Sequence, residues 1–207
     1  MNKNHIFENV RHSVVTTLVL MLICGLIFPL VLSGLGGLLF PHQAGGSLIK
    51  VDGKVVGSEH IGQKFTEDYF MKGRPSAVGY NTYETKAEAE AAGPSSGSQN
   101  MASSNPDLVA RVEDDMEAFL AANPDVNKED IPTDLLTASG SGLDPDISPE
   151  SAKVQIPAIS KAAGISEARL NEIVENNTDG KLLGIFGAET VNVLGVNLEI
   201  AQEMDLI

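Results

Sequence analysis

Ser13 to Pro41 reads SVVTTLVLMLICGLIFPLVLSGLGGLLFP, 29 consecutive residues without an acidic, basic or histidine side chain, followed by a polar and acidic chain with no second stretch of that kind. An apolar helix needs about 20 residues to cross the roughly 30 Å hydrocarbon core of a bilayer, so residues 13–40 predict one transmembrane helix. Thr16, Thr17 and Ser33 can bond back to their own helix, and Pro29 is tolerated in a span where neighbouring groups satisfy the freed carbonyl. Gly34, Gly36 and Gly37 mark its exit. A cleavable signal peptide would have an apolar core of about 7 to 15 residues and a small-residue cleavage site; this run is nearly twice that, so a retained anchor is expected. Cys24, deep in the run behind the bulky Ile23, reads as a small packing residue rather than a lipid attachment point.

The span orders the rest of the chain. Lys3 and Arg11 precede it, whereas Lys50 and Lys54 follow at greater distance with Asp52 between them. Positive charge favours the cytoplasmic side, which predicts a short cytoplasmic head (1–12), the transmembrane helix (13–40) and a soluble extracytoplasmic domain (41–207). The formal net charge is -14. Lys3, Arg11 and Glu8 make the head +1, so the downstream domain carries -15. No basic patch of the kind nucleic acid binding requires is visible, and the lack of Trp removes the best stacking platforms. Nucleic acid is therefore excluded as a partner. The one cysteine lies in the span, so the domain has no disulfide and stands on its hydrophobic core.

The domain reads as α+β. Ile49-Lys50-Val51 and Lys54-Val55-Val56 flank the turn pair Asp52-Gly53, a β-hairpin signature. Asn81 to Asn105 shifts to an Ala/Glu stretch and a Gly/Ser/Pro-rich stretch, read as surface loop. Asn105-Pro106-Asp107 opens a helix, with a capping amide, a first-turn proline and an acid at the positive end of the helix dipole. Leu108, Val109, Val112, Met116, Phe119 and Leu120 recur at helical spacing behind it. A second helix is expected from Ser148-Pro149-Glu150 and a third from Ser166-Glu167 to about Asn176-Asn177, with strands at Leu182 to Phe186 and Val191 to Val196. The expected domain thus holds a hairpin, about three helices and a C-terminal strand.

Catalytic motifs do not emerge. Gly140-Ser141-Gly142 lacks the spacing of a nucleophile elbow. His5, His12, His42 and His60 all fall near the anchor. Asp144-Pro145-Asp146 and Asn123 to Asp130 alternate oxygen ligands but lack the glycine a calcium loop needs at its sharp turn. Gly93 to Gly97 and Gly180-Lys181 do not match a phosphate loop. No catalytic residue, metal ligand or bound cofactor is assigned from these patterns.

Three polar, glycine-containing segments are too long for simple turns: 69–77 (YFMKGRPSA), 95–106 (SSGSQNMASSNP) and 131–149 (IPTDLLTASGSGLDPDISP). In these segments the chain resembles the KdpC family, the C subunit of the potassium-transporting P-type ATPase. Leu136 to Pro145 (LTASGSGLDP) with Ile147-Ser148-Pro149 is the most specific part of the likeness. Gly57-Ser58, Ile61-Gly62-Gln63, Tyr69-Phe70, Gly73 to Ala77, Gln155-Ile156-Pro157 and Val191 to Leu194 agree in order. His60, Ala158, the segment 99–102 and an insertion over 83–92 depart from the family pattern.

The resemblance implies an accessory, non-enzymatic subunit whose partners are a channel-like potassium-binding subunit, an ATP-hydrolysing subunit and membrane lipid. It also implies an association with ATP through the complex, as a catalytic chaperone that raises the nucleotide affinity of the hydrolytic partner. A membrane-anchored solute-binding or surface enzyme domain is the rival reading. Within the segments Arg74, Asp134, Ser139 and Asp144, and between the first two of them Asn81, can bond backbone groups of their own loops or of a partner. In the span, Ser33 and Gly37 at four-residue spacing can pack against another helix or simply face lipid.

Overall fold

The apolar run is helical almost from the first residue to the last. In the computed structural model, which describes residues 3–207, α1 (Lys3–Leu22) passes through a π-helical turn (Ile23–Ile27) into α2 (Phe28–Leu39). Residues 1 and 2 of the expected cytoplasmic head, and the side chains of Lys3, Asn4 and Ile6, lie outside what is described. Phe7–Leu39 is continuous over 33 apolar-rich residues, about 50 Å of helix at 1.5 Å per residue, and spans a membrane with length to spare. Its apolar side chains are exposed, from Phe7 to Phe40, as a lipid-facing surface is. The π turn has an identifiable cause. Pro29 has no N–H, and its ring collides with the carbonyl four residues back in a regular helix; here the chain widens just ahead of it, and Phe28 N–H bonds to Ile23 O, five residues back. A short helix α3 (Pro41–Ala44) follows.

The chain divides into two compact units, the first ending at Leu48 and the second running from Ile49 to Ile207. The second unit is α+β. β1 (Leu48–Val51) and β2 (Lys54–Ser58) form the two-stranded hairpin, turning through Asp52 (φ 49°) and Gly53 (φ 77°). Both turn residues sit at positive φ, as the tight hairpin turn demands. A three-stranded antiparallel sheet in the order β3 (Asp146–Ile147), β5 (Thr190–Asn192), β4 (Thr178–Asp179) sets Asp146 opposite Asn192 and Thr178 opposite Val191.

The helix starts follow their caps. In α5 (Pro106–Ala122), Asn105 Oδ1 accepts from Asp107 N–H at 2.9 Å; Ser148 and Ser166 cap α6 (Pro149–Lys153) and α8 (Glu167–Asn176) in the same way. Four elements depart from the reading of the sequence. Residues 86–92, expected as loop, form α4 (Lys86–Ala92), because Thr85 and Glu88 close a reciprocal capping box. The helix expected from Ser148 breaks after Lys153 and restarts as α7 (Ile156–Ala163), with Pro157 in its first turn. The strand expected over Val191 to Val196 ends at Asn192, whose side chain accepts from Gly195 N–H at 3.0 Å and so starts α9 (Val193–Glu203). Leu182 to Phe186 is a tight exposed turn closed by one bridge.

The core lies where α7, α8 and α9 meet β5. Ile159, Leu170, Ile173, Val191, Val196 and Ile200 are all at most 2% exposed. Met71, 1% exposed, enters this core from the long 69–77 segment, with Phe65 and Phe70 packed at its edge. Their rings meet edge-on at 5.5 Å.

Candidate functional site: a platform of glycine-rich segments

The three long segments are ordered because polar side chains replace the backbone pairing that strands would supply. Two buried amides hold the first of them. Asn197 of α9 accepts from Met71 N–H at 2.7 Å and donates to Met71 O at 2.9 Å. Gln155, just ahead of α7, does the same for Lys72, accepting from its N–H at 2.8 Å and donating to its carbonyl at 3.2 Å. The sequence marks Gln155 only as part of the family-like Gln155-Ile156-Pro157 and does not mark Asn197. The available signal was a polar residue on an otherwise apolar helical face, Val193, Val196, Asn197 and Ile200 in α9.

The first segment then clasps the third. Arg74 pairs with Asp144 at 2.9 Å and reaches Thr137 O at 3.4 Å. Ser139 N–H donates to Pro75 O at 3.1 Å, and Ser76 Oγ donates to Gly142 O at 2.6 Å. Ser139, 1% exposed, accepts from Gly142 N–H at 2.9 Å. Tyr80 lies beneath this clasp and donates from its hydroxyl to Arg74 O at 2.7 Å. Burial, with the Asp144 charge beside it, pushes the Tyr80 hydroxyl up to about 12 despite Arg74; it stays protonated and a donor.

The second segment joins through Gly97 N–H, which donates to Ser141 O at 2.7 Å, and through Asn81, which donates to Ser95 O and accepts from Ser95 N–H and Ser95 Oγ, each at 3.0 Å. Gly142 sits at φ +67°, and a Cβ there would stand 2.7 Å from Val78 Cγ2 and 2.9 Å from Gly97 O. Only glycine fits that crossing.

Asp134 fixes the far end of the third segment to α6. It accepts from Ser148 N–H at 2.8 Å, from Ser148 Oγ at 3.0 Å and from Ser151 Oγ at 2.6 Å. Burial alone would raise its pKa, but the hydrogen bonds from Ser151 and Ser148 outweigh it and hold the carboxyl below its ordinary value. The platform therefore gathers Arg74, Ser139 and Asp144 around one crossing, with Asn81 and Asp134 at its two ends. Each is bonded within the domain. In the span, Ser33 and Gly37 lie exposed on α2, with open space around Gly37.

Beside the platform, a cleft of about 340 Å³ is lined by Glu59, His60, Asp146, Asp179, Asn177 and Asn192. Asp146 is raised above the usual carboxylate range by burial first, with Asp144 and Asp179 adding to it and the hydrogen bond from Asn192 opposing it. A carboxyl raised on folding favours the folded state fully below its unfolded pKa and loses that contribution as pH rises through the folded value. Asp146→Asn, which keeps an acceptor for Asn192, should therefore raise the melting midpoint by about 1–2 °C at pH 7, with the difference closing on acidification. Thermal unfolding in detergent at stepped pH measures it.

A family model described as KdpC, K+-transporting ATPase, c chain, matches residues 10–202, and so covers both the membrane helix and the platform. The chain belongs to the KdpC family. A potassium-transporting ATPase KdpC subunit of Clostridium kluyveri is 59% identical over 202 residues, covering 97% of this chain and 96% of that protein. The KdpC subunit of Clostridioides difficile is 52% identical over 207 residues, covering 97% of this chain and all of the relative. One from Rhodopseudomonas palustris is 44% identical over 197 residues, covering 93% of this chain and 97% of the relative. Each of these alignments takes in more than nine-tenths of both chains. The KdpC match embraces all three glycine-rich segments, so the platform belongs to the shared part of the molecule.

Proposed function

We propose that this chain is the non-catalytic accessory subunit of an ATP-driven potassium uptake complex in the cell membrane, with residues 1–12 cytoplasmic and residues 41–207 outside. The observation that carries this reading is the co-extensive KdpC match over residues 10–202, which takes in the anchor and the domain as one piece. In this role the chain holds together a channel-like potassium-binding subunit and an ATP-hydrolysing subunit. The platform residues Arg74, Asn81, Asp134, Ser139 and Asp144 shape the segments presented to those partners, while Ser33 and Gly37 offer α2 a close-packing seam against other membrane helices.

Support for ATP binding by the hydrolytic partner then acts through subunit contact. A domain carrying -15 opposes a polyphosphate, and outside the membrane it does not meet cytoplasmic nucleotide. A tagged chain carrying Cys24→Ser and Ser96→Cys tests both halves of the reading. Extracted in mild detergent, it should bring two larger multispanning subunits of the same ATPase; recovery alone would favour a solitary solute-binding or surface enzyme domain. On intact cells Ser96→Cys should react with an impermeant thiol reagent, and labelling only after lysis would place the domain in the cytoplasm.

A further inference from the structure

The most exposed apolar group in the second unit is the turn between β4 and β5. Leu182, Leu183, Ile185 and Phe186 are 70%, 81%, 76% and 62% exposed. Soluble domains scatter single apolar residues over their surfaces, but a contiguous cluster of this kind marks a contact surface. The cluster is also shaped. Leu182 N–H donates to Phe186 O at 2.9 Å and Phe186 N–H to Leu182 O at 3.0 Å, while Gly184 N–H reaches Lys181 O at 2.9 Å. Leu183 is held at φ 55°, a conformation that a leucine rarely adopts. Both ends of the loop enter the three-stranded sheet, through Asp179 opposite Thr190.

We propose that this turn is a preorganised plug that seats in an apolar recess on another protein subunit of the potassium-transporting ATPase. The inference rests on the accessory-subunit reading above and deepens it by naming the surface. Three observations favour protein over bilayer as the occupant. The domain's charge of -15 disfavours approach to an anionic lipid surface. The turn carries no Trp or Tyr, the residues that settle at a membrane interface. A fluid bilayer needs no fixed shape, whereas the hydrogen-bonded turn has already met the ordering cost that binding in a shaped recess would impose. Exposed Asp179, Lys181 and Glu189 flank the apolar run in sequence, as charged rim residues flank an interface core.

The test uses the full chain co-expressed with the other subunits of its ATPase. A Leu183→Asn, Phe186→Asn double variant should lose those subunits on detergent extraction by about tenfold or more, with an unchanged melting midpoint because neither side chain is buried. Val55→Asn, at a comparably exposed position on β2, should retain them. Equal recovery with the double variant overturns the proposal; failure of the unaltered chain to carry any subunit overturns the accessory-subunit reading instead. In a Cys24→Ser background, Ile185→Cys bearing a maleimide photocrosslinker should join to one identified subunit of the ATPase. Adducts confined to lipid, or to a second copy of this chain, also overturn it.

Discussion

Asn197→Leu should destabilise the domain by about 3 kcal/mol and lower its melting midpoint by roughly 6–12 °C. Leucine matches the branching of asparagine and keeps α9 helical, so the loss isolates one effect. Asn197 is 2% exposed and satisfies both backbone groups of Met71, whose own side chain is 1% exposed. Removing the amide leaves a buried N–H and a buried carbonyl without partners, each costing about 1–3 kcal/mol. Thermal and denaturant unfolding in detergent, with hydrogen exchange at the Met71 amide, read the result. A shift below about 2 °C would show that water serves the Met71 backbone in the variant.

Gly142→Val should cost at least about 2 kcal/mol, because a β-branched residue is forced into left-handed backbone space. The steric collision with Val78 and Gly97 O adds to that figure. Its local signature differs from that of Asn197→Leu. The clasp should open while the α7–α8–α9 core stays closed, so proteolysis within 93–100 and faster exchange at the Gly97 and Gly142 amides should accompany it. Protection at Gly97 equal to that of the unaltered chain would refute the crossing as the point of strain. The buried core amides should remain protected in this variant and lose protection in Asn197→Leu.

Much of this architecture was legible because short-range chemistry governed it. Asp52-Gly53, Asn105-Pro106, Ser148-Pro149 and Ser166-Glu167 each determine a turn or helix start from within a few residues, and each does so here. The C-terminal region misled for a local reason. Val191 to Val196 is rich in β-branched residues and reads as strand by propensity, yet the Asn192 side chain caps the helix at Gly195, and the apolar positions beyond it follow helical spacing. Leu182 to Phe186 misled in the opposite sense, since an apolar run normally signals burial and this one is on the outside.

The candidate residues divide along the same line. Arg74, Asp134, Ser139 and Asp144 were legible as polar members of glycine-rich segments, and Asn81 as a polar residue in the loop between two of them, where side chains commonly bond backbone. Their partners were not. Asn197 reaches Met71 across 126 residues and Gln155 reaches Lys72 across 83, and no spacing rule connects such positions. The Arg74 pairing with Asp144 likewise closes a separation of 70 residues.

The π turn at Ile23–Ile27 carries a consequence for how the span meets its neighbours. One extra residue in a helical turn rotates everything after it by about 100° about the axis. A helical wheel drawn straight through the span therefore places Ser33 and Gly37 on the wrong meridian relative to Thr16 and Thr17. The two halves of the helix address different directions in the plane of the membrane, so one anchor can face one neighbour near its start and another near its end. A substitution scan along the span should show sensitivity at helical spacing in each half, with the phase broken between residues 23 and 28.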